Sequence, residues 1–450
     1  MPLRADTKGV LLHITSLYGG VIGSLSKSAY EFIDVLSESG QNYWQILPLN
    51  VIGEGNSPYS PLSSFANEPM LISIDFLTDC GLLKKGEAEK LPNTASTDYA
   101  LAKSKKLPLV LKAAERINEN DIDFLRFCNN NPDILNWCKV TENYSANLKA
   151  QYLFYIQWGQ LVNYAHKKGI EIIGDLPFYV AENSADVKLN KKNFLLDEFG
   201  KPTLVAGVPP DYFSALGQLW GNPIYNFEYL KSTNYEFLIN RICRALKNYD
   251  ILRLDHFRAF ADYYTVKYGS VSAQHGEWLP GPGADFFNVL YKKVNKNKIF
   301  AEDLGSESDA LKRLIKTTNI KTMAVALFAA GGKSEYKKFL PENIKANTVA
   351  YTGTHDNRTV NGWYMSASTA ERTFFGKKFG CGGTAAHSLI SAVLKSRSDT
   401  VIIPAQDYLN LDDGALINRP GTKHGNWEWR MKKGDAEKLY KALIKPEFKR

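Results

Sequence analysis

Residues 251–257 (ILRLDHF) join a short apolar run to an arginine and an aspartate, and runs of this kind decide the fold. Seven further short runs rich in Val, Ile, Leu or aromatic residues recur along the 450-residue chain, at residues 9–14, 43–49, 170–176, 299–304, 323–328, 348–352 and 400–404. Nearly continuous apolar runs are typical of parallel strands buried on both faces. Eight of them, separated by helical stretches, predict an α/β protein with a (β/α)₈ barrel.

The stretches between the runs carry helical patterns or are unusually long. Residues 26–39, 151–168 and 240–248 predict helices that lead into or out of strands. Residues 75–150 contain amphipathic stretches and predict a helical insertion. Residues 181–229 are rich in Gly, Pro and aromatic residues, which indicates an irregular lid or substrate loop. With no internal repeat or low-complexity linker, we expect one catalytic barrel domain over residues 1–450 that contains both insertions.

Composition excludes several classes of protein. The chain is 44% hydrophobic and 23% charged, and its net charge of +8 is spread along the sequence without a nucleic-acid-binding motif. The five cysteines are scattered without zinc-ligand spacing. The N-terminus lacks the apolar run of a signal peptide, and no stretch reaches the roughly 20 apolar residues of a membrane span. We therefore expect a cytoplasmic protein that binds neither nucleic acid nor membranes.

Acidic residues fall where the predicted strands end. Because side chains alternate along a strand, Arg253 and Asp255 share the face towards the barrel axis, and Glu302 points the same way from the next strand. Asp175 ends the third strand, and Asp356 follows the seventh. Each acid alone is consistent with a helix cap or loop anchor. Four of them at the carboxyl ends of barrel strands, where barrel enzymes place their sites, predict a catalytic centre.

Retaining glycoside chemistry needs a pair of carboxyl groups like these. It uses one carboxylate as nucleophile and a second carboxyl as acid and base, about 5 Å apart. We expect Arg253 to lower the pKa of Asp255 and keep this nucleophile ionised. Dry surroundings and nearby negative charge would keep Glu302 protonated as the acid. Asp356 could stabilise the positive charge that develops on the sugar.

Histidines and aromatic residues near these acids suggest a sugar substrate. His256 and His355 adjoin two of the acids and could donate to sugar hydroxyls, although a purely structural histidine explains each of them equally well. Aromatic residues also occupy Gly- and Pro-shaped loops, where rings can stack on glucose units or simply pack the loop: Tyr59, Tyr212, Phe213 and Trp220.

Seven motifs resemble those of one family. RLDHFR (253–258), AEDLG (301–305) and GTHDN (353–357) look like the strand-end signatures of amylomaltases, the disproportionating 4-α-glucanotransferases. Segments 57–69, 175–187, 207–223 and 418–430 match the same family in the same order. The resemblance extends from about residue 9 to residue 430.

The resemblance implies an α-amylase-like barrel that needs no cofactor. It places the nucleophile at Asp255, the acid/base at Glu302, the transition-state carboxylate at Asp356 and the preceding arginine at Arg253. The lid tryptophan falls on Trp220 and an acceptor-side tyrosine on Tyr59. From the matching segments we also expect Asp175 and Asn426 to contact substrate.

The activity implied is the transfer of α-1,4-glucan segments between maltooligosaccharide donors and acceptors, with retention and through a covalent glucosyl-enzyme. Glucose would serve as acceptor or product. A retaining α-glucan hydrolase would use the same three acids and stays open as an alternative. A non-catalytic glucan-binding protein would typically lack one of them. We expect no metal, because neither a calcium-loop spacing nor a His/Cys cluster is present.

Overall fold

The computed structural model describes residues 3, 5–87, 91–210, 216–305, 307–380, 382–422 and 424–450. Within this part of the chain, eight parallel strands form one sheet in the order β6–β7–β8–β1–β2–β3–β4–β5. Their bounds are β1 Thr7–Leu11, β2 Tyr43–Gln45, β3 Glu171–Leu176, β4 Ile251–Leu254, β5 Ile299–Ala301, β6 Thr322–Val325, β7 Thr348–Tyr351 and β8 Thr400–Pro404. The Ala301 N–H donates to the Lys321 carbonyl at 2.8 Å and joins β5 to the start of β6. The sheet is thus nearly closed into a barrel.

All eight strands predicted from the apolar runs are present, and the (β/α)₈ fold class is confirmed. Nearly every strand residue is buried, as expected for a sheet covered by helices outside and by side chains within. Except for β8, the strands are shorter than the runs, because the last apolar residues of several runs lead into the loops of the barrel mouth. In the first run, β1 ends at Leu11 and a 3₁₀ turn, Ile14–Ser16, follows.

Helices surround the barrel, and several of them begin at a side chain that caps the first turn. The helix predicted at residues 26–39 spans Lys27–Glu38. The helix predicted at residues 151–168 begins earlier and spans Tyr144–Lys167, because the Asn143 side chain caps its start by accepting from the Ala146 N–H. The α-helices of the described residues are Lys27–Glu38, Ile74–Asp79, Tyr99–Leu101, Leu107–Glu115, Ile122–Asn130, Pro132–Cys138, Tyr144–Lys167, Ala185–Leu189, Phe227–Ser232, Glu236–Asn248, Gly283–Leu290, Asp309–Thr318, Val360–Ser366, Thr369–Phe379, Ala385–Leu394, Ala405–Tyr408 and Asp435–Leu443.

The two long intervals differ in structure. Residues 75–150 are largely helical, and Phe124, Phe127 and Trp137 build a small apolar cluster with Tyr152 of the long helix Tyr144–Lys167. Part of residues 181–229 is more regular than its sequence suggests. Strands Leu204–Val208 and Gln218–Pro223 join Asp262–Lys267 and Gly276–Pro280 in a four-stranded antiparallel sheet. A register shift between Val205 and Gly207 interrupts the alternation that would reveal such strands.

No helix in the described ranges combines the length and apolar character needed to cross a bilayer.

Candidate active site

Arg253 lies at the centre of the site, inside the barrel. Its neighbours Leu252 and Leu254 are fully buried towards the helices, so the alternation of β4 turns Arg253 to the axis. Nη1 of Arg253 lies 2.7 Å from Oδ2 of Asp175 and 2.9 Å from Oδ1 of Asp255. Burial of the guanidinium opposes its charge, but the two carboxylates outweigh this and raise the pKa of Arg253 well above its ordinary value. One permanent cation therefore holds the ends of β3 and β4 together.

Asp175 connects this cation to the loop after β2. Its Oδ2 accepts from the Tyr59 hydroxyl at 2.6 Å as well as from Arg253, and it is only 1% exposed. The ring of Tyr59 stacks on His355 with centroids 4.9 Å apart and planes 12° apart. Tyr59 therefore contacts two predicted site residues that lie at the ends of different strands. The other carboxylate oxygen of Asp175, Oδ1, is buried and has no hydrogen-bond partner among the described residues.

The pKa of Asp255 shifts in the direction opposite to our expectation. Burial raises the pKa of this carboxyl to about 7; Arg253 acts in the opposite direction, and the charges of Asp175 and Glu302 add to the rise. The ion pair expected from the sequence is present, but the cost of keeping a charge in the dry mouth of the barrel is larger than the attraction to Arg253.

Glu302 follows β5 directly and is fixed by the main chain. Its Oε2 accepts from the His256 N–H at 2.9 Å and its Oε1 from the Leu304 N–H at 2.8 Å. His256 has φ 46° and ψ 48°, a left-handed conformation that is uncommon outside glycine. This turn directs the His256 N–H at Glu302, so the backbone that follows β4 orients the second acid.

Asp356 lies in the loop after β7 beside His355. Its Oδ1 accepts from the Asn418 amide at 2.7 Å, and Nε2 of His355 lies 3.2 Å from its Oδ2. Burial would raise the pKa of Asp356, but His355 and Asn418 outweigh it and hold this pKa well below its usual range. The pKa values of Asp255 and Asp356 are thus shifted in opposite directions, and the charge of Asp356 adds to the rise at Asp255.

Trp220 and His256 form an aromatic pair beside the acids. Their rings meet edge to face, 4.8 Å apart, and Trp220 remains 39% exposed at the edge of the antiparallel sheet. Burial lowers the pKa of His256 to about 4, so the ring is neutral near pH 7. Its Nε2 is buried and has no hydrogen-bond partner within the described residues. The other predicted lid aromatics, Tyr212 and Phe213, lie outside the described residues.

Asn426 uses its side chain within its own loop. The amide oxygen accepts from the Arg419 N–H at 2.9 Å, and the amide nitrogen donates to the Thr422 carbonyl at 3.0 Å. The contact with an acid is made instead by Asn418, at the start of the same motif, which sequence reasoning did not single out. Substrate binding by Asn426 stays a prediction.

Two further residues near the site were also missed. Asp407 is buried after β8, and its carboxylate accepts from the Thr352 hydroxyl at 2.6 Å and from the Val360 N–H at 2.9 Å. It therefore joins both ends of the loop that carries His355 and Asp356. Trp427 lies 5.8 Å from the Tyr59 ring. Trp427 belongs to segment 418–430, which the sequence already showed to resemble the family, whereas only the fold brings Asp407 to the loop after β7.

Among the residues that the structure describes, no three or more His, Cys, Asp or Glu side chains are arranged to hold a metal ion.

Comparison with known proteins decides the family. The family model described as 4-alpha-glucanotransferase, glycoside hydrolase family 77, matches residues 12–139 and 136–436. The chain belongs to the 4-alpha-glucanotransferase family. A 4-alpha-glucanotransferase of Clostridium butyricum is 40% identical, over 94% of this chain and 95% of the relative. The chloroplastic/amyloplastic 4-alpha-glucanotransferase of Arabidopsis thaliana is 38% identical, over 94% of this chain and 81% of the relative.

A solved 4-alpha-glucanotransferase has the same architecture. The structure of amylomaltase from Streptococcus agalactiae in complex with acarbose superposes with a TM-score of 0.92 at 32% identity, and covers 98% of both chains. The predicted family, the barrel fold and the reaction class of a 4-α-glucanotransferase are therefore confirmed. The roles of the individual site residues and the division into insertions stay predictions.

Proposed function

We propose that this 4-α-glucanotransferase moves α-1,4-glucan segments between maltooligosaccharides by two displacements at one carbon. Asp255 is the nucleophile, Glu302 the acid and base, and Asp356 the carboxylate that stabilises the oxocarbenium-like transition state. The observation that supports these roles is the pair of ion pairs made by Arg253. This side chain binds both Asp255 and Asp175 at the mouth of the barrel, and Glu302 and Asp356 are close enough to alter the pKa of Asp255.

In the first displacement, an ionised Oδ of Asp255 attacks the anomeric carbon and forms an ester bond. The glycosidic C–O bond breaks, and Glu302 delivers its proton to the departing 4-oxygen. Asp356 carries a stable negative charge, because its pKa is lowered, and is suited to the positive charge that builds up on the ring. The main-chain bonds from His256 and Leu304 hold Glu302 in one orientation for this transfer.

In the second displacement, a 4-hydroxyl of an acceptor glucan replaces the leaving sugar. Glu302 takes the hydroxyl proton, the oxygen bonds to the anomeric carbon, and the ester to Asp255 breaks. The second inversion restores the α-linkage. Exposed Trp220 and partly buried Tyr59 provide flat surfaces that position an acceptor and disfavour water.

Unsatisfied polar atoms mark where sugar hydroxyls would bind. Oδ1 of Asp175 and Nε2 of His256 are buried without hydrogen-bond partners among the described residues. A carboxylate oxygen accepts from a hydroxyl, and a neutral imidazole nitrogen donates to or accepts from one. A bound glucose unit would therefore satisfy groups that are costly to leave unpaired.

The wider predictions belong to the same proposal. We propose a single catalytic domain over residues 1–450, with insertions at 75–150 and 181–229. The partners are maltooligosaccharides and glucose, with no nucleic acid, membrane, cofactor or metal, and the location is the cytoplasm. Support comes from the family membership together with the absence, among the described residues, of a bilayer-spanning helix.

Product analysis with maltotriose as sole substrate tests transfer. We expect free glucose together with a ladder of oligosaccharides longer than maltotriose, because the acceptor 4-hydroxyl outcompetes water. The same incubation with Asp255→Asn should give no products. If wild type releases shorter sugars alone, the protein is a hydrolase and the proposal is wrong.

A further inference from the structure

A cleft of about 540 Å³ opens on the side of the barrel, away from the four acids of the mouth. We call it the side cleft. Its walls come from helices Pro132–Cys138, Ala185–Leu189 and Glu236–Asn248 and from the loop that contains Phe65. Its volume is in the range of cavities that bind small molecules.

The side cleft combines amides and carboxylates with aromatic rings. Asn193 and Asn240 line it, and their side-chain amides make no hydrogen bond within the described part of the chain. Asp133 and Glu236 add carboxylates, and the walls also include Phe65, Trp137 and Phe237. Paired donors and acceptors beside apolar rings suit a neutral ligand with many hydroxyls and apolar ring faces.

Asp186 provides an independent sign of a missing partner. It lines the side cleft, is 2% exposed, and its Oδ2 accepts from the Ser64 N–H at 2.8 Å. Its Oδ1 is buried and has no partner among the described residues. After a small rotation of this carboxylate, a hydroxyl in the cleft could supply the donor that Oδ1 lacks.

The charge of the lining argues against other ligands. Among the described residues that line the cleft there are three carboxylates and no lysine or arginine, so phosphates and other anions would be repelled. The described part of the chain also shows no group of three acids, histidines or cysteines arranged for a metal ion.

The wall of the side cleft is joined to the mouth of the barrel. Ser64, which binds Asp186, belongs to the loop that carries Tyr59. Buried Arg241 donates to the Ser64 hydroxyl at 2.9 Å and to the carbonyls of Pro177 at 2.6 Å and Phe178 at 2.7 Å, just after Asp175. The loops that follow β2 and β3 thus contribute residues both to the side cleft and to the candidate active site.

We propose that the side cleft binds a maltooligosaccharide segment of a glucan chain at a distance from the bond that reacts. This inference rests on the proposed function, because it takes the ligand to be an α-1,4-glucan. Such a site would raise the affinity for long glucans, since a second contact on the same chain becomes intramolecular.

Calorimetric titration with maltoheptaose tests the proposal, with Asp255→Asn as the background so that sugar is not consumed. We expect two binding events. Adding Glu236→Gln and Asn240→Ala should weaken one of them about tenfold, the effect of losing one or two hydrogen bonds to the ligand. The matched control adds Glu228→Gln and Asn129→Ala, which change exposed residues outside the cleft, and should keep both events.

Equal isotherms for the cleft variant and its control would overturn the inference, as would a single binding event in the background protein. If the double variant does not fold, Asn240→Ala alone provides the same comparison against Asn129→Ala. The maltotriose ladder is measured separately with wild type. Failure of the proposed function is therefore distinguishable from failure of the side cleft, because binding does not depend on the reaction outcome.

Discussion

Two opposing effects act on the pKa of Asp255. The sequence places Arg253 two positions earlier on the same strand face, and the two side chains do form an ion pair at 2.9 Å. The net pKa shift is nevertheless upward, because burial and three neighbouring acids outweigh one arginine. Strand alternation predicts the ion pair. The burial of the carboxyl, which decides the direction of its pKa shift, depends on residues distant in sequence.

This shift predicts an acidic limit to activity. Attack requires the ionised form of Asp255, and its pKa is raised to about 7. Activity should thus be present above pH 7 and be lost as the pH falls through that value. We expect kcat/KM for maltotriose to fall by about tenfold per pH unit below pH 6.5. A profile of kcat/KM that stays flat down to pH 5 would show that Asp255 is not a carboxyl with a raised pKa.

At the scale of elements, the loops after the strands carry the site, and each is fixed by contacts between elements. Asp407, in the short helix after β8, accepts hydrogen bonds from Thr352 at the end of β7 and from Val360 at the start of the next helix. The residues between them include His355 and Asp356. The position of Asp356 therefore depends on a buried carboxylate whose pKa burial raises to about 6.

Thr352→Val removes one of these bonds without changing the shape of the side chain. Oδ2 of Asp407 then loses its hydroxyl donor, so we expect the free energy of unfolding to fall by about 1–3 kcal/mol. A displaced Asp356 should lower kcat by about tenfold or more, with a smaller change in KM. Thermal unfolding and steady-state kinetics on maltotriose measure both effects.

Thr348→Val is the matched control at the other end of β7. Thr348 is also buried, but among the described residues no hydrogen bond joins its hydroxyl to this loop. The Thr348→Val variant should therefore keep the wild-type kcat. Equal kcat values for the two valine variants would mean that Asp407 supports stability without positioning Asp356.

At the scale of the whole molecule, the sequence predicts the barrel well because the signal is local. Each buried parallel strand is a short apolar run, so the eight runs correspond to eight strands and the acids at their ends meet at one face. The antiparallel sheet was not predicted, because its strands come from two separate stretches, residues 204–223 and 262–280, and the pairing of the first strand shifts register between Val205 and Gly207. Pairing between distant segments has no signature in either segment alone.

The same contrast applies to the candidate site. Asp255, Glu302, Asp356 and Arg253 are recognisable because motif and strand position coincide. Asn418 and Asp407 act through contacts that only the folded barrel creates. Asn418 is 62 residues from Asp356 in the sequence, and Asp407 is 55 residues from Thr352. The side cleft likewise arises from four helices, Pro132–Cys138, Ala185–Leu189, Phe227–Ser232 and Glu236–Asn248, and no single motif indicates it.

The most direct test of the account is to trap the glycosyl-enzyme. α-Maltotriosyl fluoride needs no acid to leave, so Glu302→Gln should complete the first displacement and stall before the second. Peptide mass spectrometry after a brief incubation should then find a maltotriosyl group on the peptide that contains Asp255. Attachment at another residue, or release of product at the wild-type rate with no adduct, would contradict the assignment of Asp255 as nucleophile and Glu302 as acid and base.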